Sequence, residues 1–181
     1  MKKIFGAMGV VTMAIAAAAC SGGGGGGGTS LTSGSYTISN AAASPDNCKF
    51  GDLSSNNGAS IPVTVAGNTV TFTLGANPLA MTLAGTTLTA PQATSDIDWT
   101  TSATSGLAHS YNCHEHDTTD FTGTVTANNK ATLHFDNNWT VASGVATMCV
   151  AANNSALGLS GAGAITAFPC ESKINFDLTK M

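Results

Sequence analysis

Residues 60–90 read SIPVTVAGNTVTFTLGANPLAMTLAGTTLTA, and the alternation in this stretch decides the fold class. Ile61, Val63 and Val65 place an apolar side chain at every second position, and after Gly67-Asn68 the same period resumes in Val70, Phe72 and Leu74. Gly75-Ala76-Asn77-Pro78 turns the chain, Leu79, Met81 and Leu83 carry the next strand, and after Ala84-Gly85 the pair Leu88 and Ala90 leads to Pro91. Successive side chains of a strand point to opposite faces, so this pattern describes half-buried strands joined by tight turns. Turn signals spaced about 8–12 residues apart mark an all-β domain. Consecutive short strands favour an antiparallel meander, which predicts a small up-and-down β-barrel, with a β-sandwich as the alternative.

Outward from this stretch the same period continues. Tyr36 and Ile38 open the domain, Ile97 and Trp99 suggest a short strand, and Lys173 to Thr179 ends the chain with Ile174, Phe176 and Leu178 facing inward. A last strand that pairs with an early one would close the sheet and hide its edges. Between Trp139 and Cys170 the chain is rich in Ala, Gly and Asn. That composition reads as one strand near Val141 to Val150, followed by a long loop. No segment shows a capped 3.6-residue period.

Residues 108–139 allow faces to be assigned. Phe121, Val125, Leu133 and Phe135 belong on one buried face. A three-residue turn at Asn128-Asn129-Lys130 would pair Val125 with Leu133 and Gly123 with Phe135, keeping that face apolar. A second turn at Asp117-Thr118-Thr119 would set Tyr111 against Val125 and Cys113 against Gly123.

The N-terminus has a different character. Met1-Lys2-Lys3 is followed by an apolar stretch from Ile4 to Ala19, closing on Ala17-Ala18-Ala19 before Cys20. The stretch is broken by Gly6, Gly9 and Thr12, whereas a spanning helix needs about 20 apolar residues. A basic start, a short apolar core and a small-residue exit read as a secretory signal. Ending on a cysteine, the segment resembles the lipobox of a bacterial lipoprotein signal peptide, with Ala17 where that family usually has Leu. The resemblance covers about the first 28 residues and implies removal of residues 1–19, with Cys20 carrying a diacylglycerol and acyl anchor. Ser21, in place of an Asp, implies outer-membrane sorting in such proteins. The domain plan is therefore a signal peptide (1–19), a lipidated Cys and flexible Gly/Ser linker (20–33) and a β domain (34–181). The linker contains seven glycines, Gly22 to Gly28, and a chain of this kind is a coil spanning roughly 20 Å.

Cysteine parity agrees with an anchor. Of five cysteines, Cys20, Cys48, Cys113, Cys149 and Cys170, lipidation removes one and leaves four, enough for two disulfides in an oxidising compartment. Four cysteines permit three pairings. Cys149–Cys170 would staple the base of the long loop and Cys48–Cys113 would hold an early segment on the sheet; Cys48–Cys170 with Cys113–Cys149 is the main alternative.

Charge is sparse at 9%, and the chain contains no arginine. Without Lys2 and Lys3, four lysines face ten acids. Such a surface is a poor match for phosphates, so nucleic acid is not an expected partner.

The one cluster with metal-like chemistry is His114-Glu115-His116-Asp117. Two histidines two apart on a strand share a face, and imidazoles are ligands for zinc, copper and nickel. The expected register gathers His114, His116, Asp120, His134 and Asp136 on one outward face. A solvated polar face is the plainer reading, and a zinc-dependent hydrolase the remotest, since no obvious general base lies in a dry pocket. No Gly-x-Ser-x-Gly elbow occurs, and Cys113 beside His114 reads as a disulfide cysteine sooner than a nucleophile. The chain is thus expected to be a non-catalytic envelope lipoprotein, held to the membrane through Cys20. Its barrel would bind an unknown small molecule or envelope protein, with residues 150–169 as the contact element and no required cofactor. The alternatives are a transition-metal-binding protein using zinc or copper on the histidine face, or a passive surface protein.

Overall fold

The computed structural model describes residues 29–100 and 110–181. Cys20, the leader-like segment and the glycine run lie outside the described residues. In chain order the strands are β1 (Gly34–Asp46), β2 (Ser60–Ala66), β3 (Thr69–Leu74), β4 (Asn77–Ala84), β5 (Thr87–Thr89), β6 (Ala93–Asp98), β7 (Cys113–Ala127), β8 (Lys130–Gly144) and β9 (Cys170–Lys180). One helix, α1 (Ala146–Leu157), stands between β8 and β9.

Every strand pairing is antiparallel, and β9 returns to β1. The short β5 also pairs with β7, through Thr87–Thr124, Leu88–Gly123 and Thr89–Thr122. This closes β1 to β5 and β7 to β9 into an eight-strand up-and-down barrel, the expected architecture in preference to a sandwich. Past Ala90-Pro91-Gln92 the chain resumes as β6, which lies along the first half of β7.

The interior has two halves of opposite character. Towards the β7–β8 turn it is filled by side chains, among them Tyr36, Ile38, Phe72, Met81, Leu88, Leu133, Phe135 and Phe176, all almost wholly buried. Eight strands enclose a space just wide enough for such filling, and each large apolar side chain buried this way contributes about 1.5–3 kcal/mol. Phe135 meets both Phe121 and Phe176 edge to face, with centroids 5.1 and 5.3 Å apart. Towards α1 the inward positions turn polar. Glu115, Asn137 and Ser172 are buried there, in line with the apolar residues further along the same strands.

Two expected features of residues 108–139 are corrected. First, the β7–β8 hairpin turns on two residues, Asn128 and Asn129, with a bulge between Val125 and Ala127. Val125 therefore faces Ala131, Gly123 faces Leu133 and Phe121 faces Phe135. Asn129 has φ of 58°, a left-handed conformation that asparagine tolerates. The bulge keeps the assigned residues on the buried face but shifts their partners by two. Gly123 shows why: a Cβ there would lie 2.6 Å from Leu133 Cδ2 and 2.8 Å from the Thr132 carbonyl oxygen. Second, Asp117-Thr118-Thr119 is not a turn. These residues pair with Trp139, Asn138 and Asn137 on one side and Ser95, Thr94 and Ala93 on the other. Threonine suits a strand, and pairing on both sides keeps β7 straight through them.

Val141 to Gly144 are strand, as the end of β8, but helix α1 takes up residues 146–157 of the expected strand and loop. Its alanines, Met148 and Leu157 favour helix, and Gly158, in the left-handed conformation at φ 65°, ends it. The N-terminal segment is also attached earlier than expected. Leu31 is buried, and Asn129 receives the amide and hydroxyl of Thr32 on its side-chain oxygen while its own N–H donates to Ser30. Residues 30–33 thus belong to the barrel, not the linker.

The disulfides are Cys48–Cys170 and Cys113–Cys149, each with Cα atoms 5.3 Å apart, so the expected Cys48–Cys113 and Cys149–Cys170 pairs are corrected. The topology dictates the choice. The end of β1 runs beside the start of β9, where Asn47 N–H donates to the Glu171 carbonyl. Cys113 pairs with Gly144 in the ladder, and α1 begins two residues later, bringing Cys149 over Cys113.

Candidate functional site

The polar half of the barrel is built by continuing the alternation of β7 backwards. From Val125, Gly123 and Phe121 the inward positions run to Thr119, Asp117, Glu115 and Cys113. This places two acids inside the wall. Glu115 is buried, and its Oε2 accepts from Trp99 Nε1 at 2.8 Å and from Asn153 Nδ2 at 2.6 Å. Trp99 follows β6 and Asn153 lies on α1, so one carboxylate oxygen joins three elements. Asn153 is itself fixed by donating to the Cys149 carbonyl at 3.1 Å.

The remaining oxygens are the informative ones. Glu115 Oε1 and Asp117 Oδ1 are buried and receive no hydrogen-bond donor. Burial, reinforced by the Glu115 charge, by a hydrogen bond with Glu115 and by the Asp96 charge, pushes the Asp117 carboxyl up to about 9. Asp117 is therefore held protonated at neutral pH, beside the Glu115 carboxyl. Two like charges at this spacing cannot both ionise in a low-dielectric wall. The pair can hold one proton, and it can accept a donor or cationic group brought against it.

Glu115 and Asp117 belong to the His114-Glu115-His116-Asp117 stretch, but the expected ligand set omits both, and the expected turn takes Asp117 out of the wall. Their signal was available in the period: Cys113, Glu115 and Asp117 are in phase with Phe121. Polar residues at inward positions conceal a strand from a search for apolar alternation.

The sequence-predicted metal residues fall into two groups that do not converge. His114 and His116 lie near the α1 end, level with Ser143 and Thr140 of β8. Across β6, His116 Nδ1 is 2.6 Å from Asp96 Oδ1 and His114 Nδ1 is 3.5 Å from Asp98 Oδ1. Further along, Asp120 faces Asp136 and accepts from Gln92 Nε2, while Lys173 Nζ stands 3.9 Å from Asp136. His134 faces Thr122 and hydrogen-bonds the side-chain oxygen of Asn175. The register that would have brought all five together required a turn at Asp117-Thr118-Thr119; because β7 runs straight through those residues, His114 and His116 lie along the strand from Asp120, away from His134 and Asp136. Among the described residues no group of three or more His, Cys, Asp or Glu is placed to hold a metal ion. Cys113, considered beside His114, is in a disulfide.

The end of the barrel carrying α1 is also where apolar side chains reach solvent. Among the described residues the exposed large hydrophobics are Val145, Met148, Leu157 and Met181, and the first three lie on α1 or its cap. Comparison with protein-family models, curated proteins and solved structures found no match to this chain.

Proposed function

We propose that this protein is an envelope lipoprotein whose barrel is a non-catalytic interaction module, anchored through Cys20 and contacting an envelope partner with its α1 end. The observation that carries the reading is a polarity of the molecule. The chain joins the barrel at the β7–β8 turn, through Ser30 and Thr32 on Asn128 and Asn129. The exposed apolar residues Val145, Met148 and Leu157 gather at the other end. An anchor about ten residues before Ser30 allows a tether of roughly 20 Å, which would leave the α1 end facing away from the bilayer.

A protein partner is favoured over a small molecule held within the apolar half, because side chains fill that half. Single exposed hydrophobics are unremarkable, and the weight here rests on three of them lying on one element at one end of the barrel. The acidic, arginine-free composition argues against nucleic acid as that partner.

The test places a photo-crosslinking amino acid at Met148, Leu157 or Ala66 of the full chain in cells. Ala66, at the tethered end, is the control. A discrete adduct from Met148 and Leu157 alone supports the reading; equal labelling from Ala66, or none from α1, overturns it. Mass analysis of the purified chain tests the anchor separately, since an unmodified thiol at Cys20 would remove it.

A further inference from the structure

We infer that His114 and His116 form a two-imidazole site for a borderline divalent transition metal, Cu(II) above Zn(II), on the outer face of β7, with Asp98 and Asp96 as positioning residues. This inference is independent of the anchor and of the α1 contact. It differs from the five-residue set expected from sequence, which the observed register disperses.

The argument begins with the ladder. His116 is level with Asp96 and His114 with Asp98, so the two strands present a square of alternating bases and acids on one face. A carboxylate can only accept, so the Nδ1 next to it carries the proton. At 2.6 Å from Asp96 Oδ1, His116 Nδ1 is so placed, which leaves its Nε2 lone pair free, while His114 Nδ1 stands 3.5 Å from Asp98 Oδ1. Histidine ligands of metals have this arrangement, with the second nitrogen donating to a carboxylate that orients the ring and raises its basicity.

Asp98 is itself held. Asp98 Oδ1 accepts from the Thr100 amide at 2.8 Å and from its hydroxyl, which fixes the position of its carboxylate beside His114. His114 and His116 side chains are 44% and 42% exposed, so the far edges of both rings reach water and an aqueous ion.

Spacing permits both to bind at once. Positions i and i+2 of a strand are about 6.8 Å apart, and two nitrogens on one ion, each ~2.0–2.1 Å from it, lie about 3 Å apart. Each ring need lean only roughly 2 Å towards the other. Water would complete the coordination. Among first-row divalent ions Cu(II) binds nitrogen sites most tightly, which sets the order of preference.

The test titrates Cu(II), then Zn(II), into the purified full chain and follows Cu(II) by electron paramagnetic resonance. One equivalent with splitting from two nitrogens is expected. His114→Ala or His116→Ala should abolish that signature, and Asp96→Asn should weaken binding about 10–100-fold while the far-UV circular dichroism and melting temperature stay unchanged. His134→Ala, on β8, should leave binding intact. Equal binding by the His114→Ala/His116→Ala double variant overturns the site. Insensitivity to Asp96→Asn overturns the positioning role and marks the ion as adventitious.

Discussion

Asp117 and Glu115 meet carboxyl to carboxyl inside the barrel wall, two positions apart on β7, and each keeps one buried oxygen that no donor reaches. A proton held on Asp117 removes the repulsion between two charges in the same wall. The Glu115 side chain is held between the indole of Trp99 and the amide of Asn153.

This arrangement makes stability depend on pH in a definite direction. The Asp117 carboxyl titrates near 9 in the folded chain and near 3.9 when unfolded. Between those values the folded state holds a proton that the unfolded state has lost. Stability from this group is therefore complete below about pH 4 and is lost progressively as pH rises towards 9. Asp117→Asn keeps a donor for Glu115 and removes the titration. Melting curves from pH 5 to 8 should fall with pH for the native chain and be flatter for the variant. At pH 8 the variant should melt higher, by about 2–4 °C for each kcal/mol regained. An unaltered slope would refute the proton held on Asp117.

Asn153 carries the other consequence. It is the residue of α1 that reaches the Glu115 carboxylate, so it couples the helix to the wall. Asn153→Ala should destabilise the fold by about 1.5–3 kcal/mol, the usual range for a hydrogen bond to a charged group. Hydrogen exchange should rise over residues 150–157 more than in β7 or β8. Uniform acceleration across the barrel would instead make α1 part of one cooperative unit.

The disulfides hold that same end. Cys113–Cys149 pins the first turn of α1 to β7, and Cys48–Cys170 joins the exit of β1 to the start of β9. A non-reducing peptide map should recover these two pairs and neither of the others. The separations of 36 and 122 residues correspond to about 4 and about 5 kcal/mol in the chain-entropy treatment. Cys48→Ser/Cys170→Ser should accordingly lower the denaturant midpoint at least as far as Cys113→Ser/Cys149→Ser, and only the latter should free α1.

What the sequence made legible follows from how each element is stabilised. Strands β1 to β5 announce themselves because an apolar residue at each inward position is their reason for folding, and Gly67-Asn68 and Ala84-Gly85 punctuate them. The terminal strand is legible for the same reason, through Ile174, Phe176 and Leu178. The first half of β7 was missed because its inward residues are Glu115, Asp117 and Thr119, whose place is set by Trp99, Asn153 and Asn137 arriving from elsewhere in the chain. Helix α1 was missed because Val145 supplies no side-chain cap and no acid stands in the first turn. Its stability comes from the disulfide and from burial of Ala152 and Asn153. The site residues thus lie where long-range partners override local pattern.

Asn129 fixes where residues 30–33 meet the barrel, and its two roles can be separated. Its backbone needs the left-handed conformation at the β7–β8 turn, while its side-chain oxygen accepts from the amide and hydroxyl of Thr32 and the hydroxyl of Tyr36. Asn129→Gly retains the turn and removes those acceptors; Asn129→Ala removes them and adds about 1–2 kcal/mol of left-handed strain. Both variants should expose residues 30–33 to proteolysis at similar rates, because that attachment depends on the side chain. The alanine variant alone should lose further global stability, by that strain. If glycine left residues 30–33 as protected as in the native chain, the buried Leu31 would be holding the segment unaided, and these residues would meet the barrel through packing and not through Asn129.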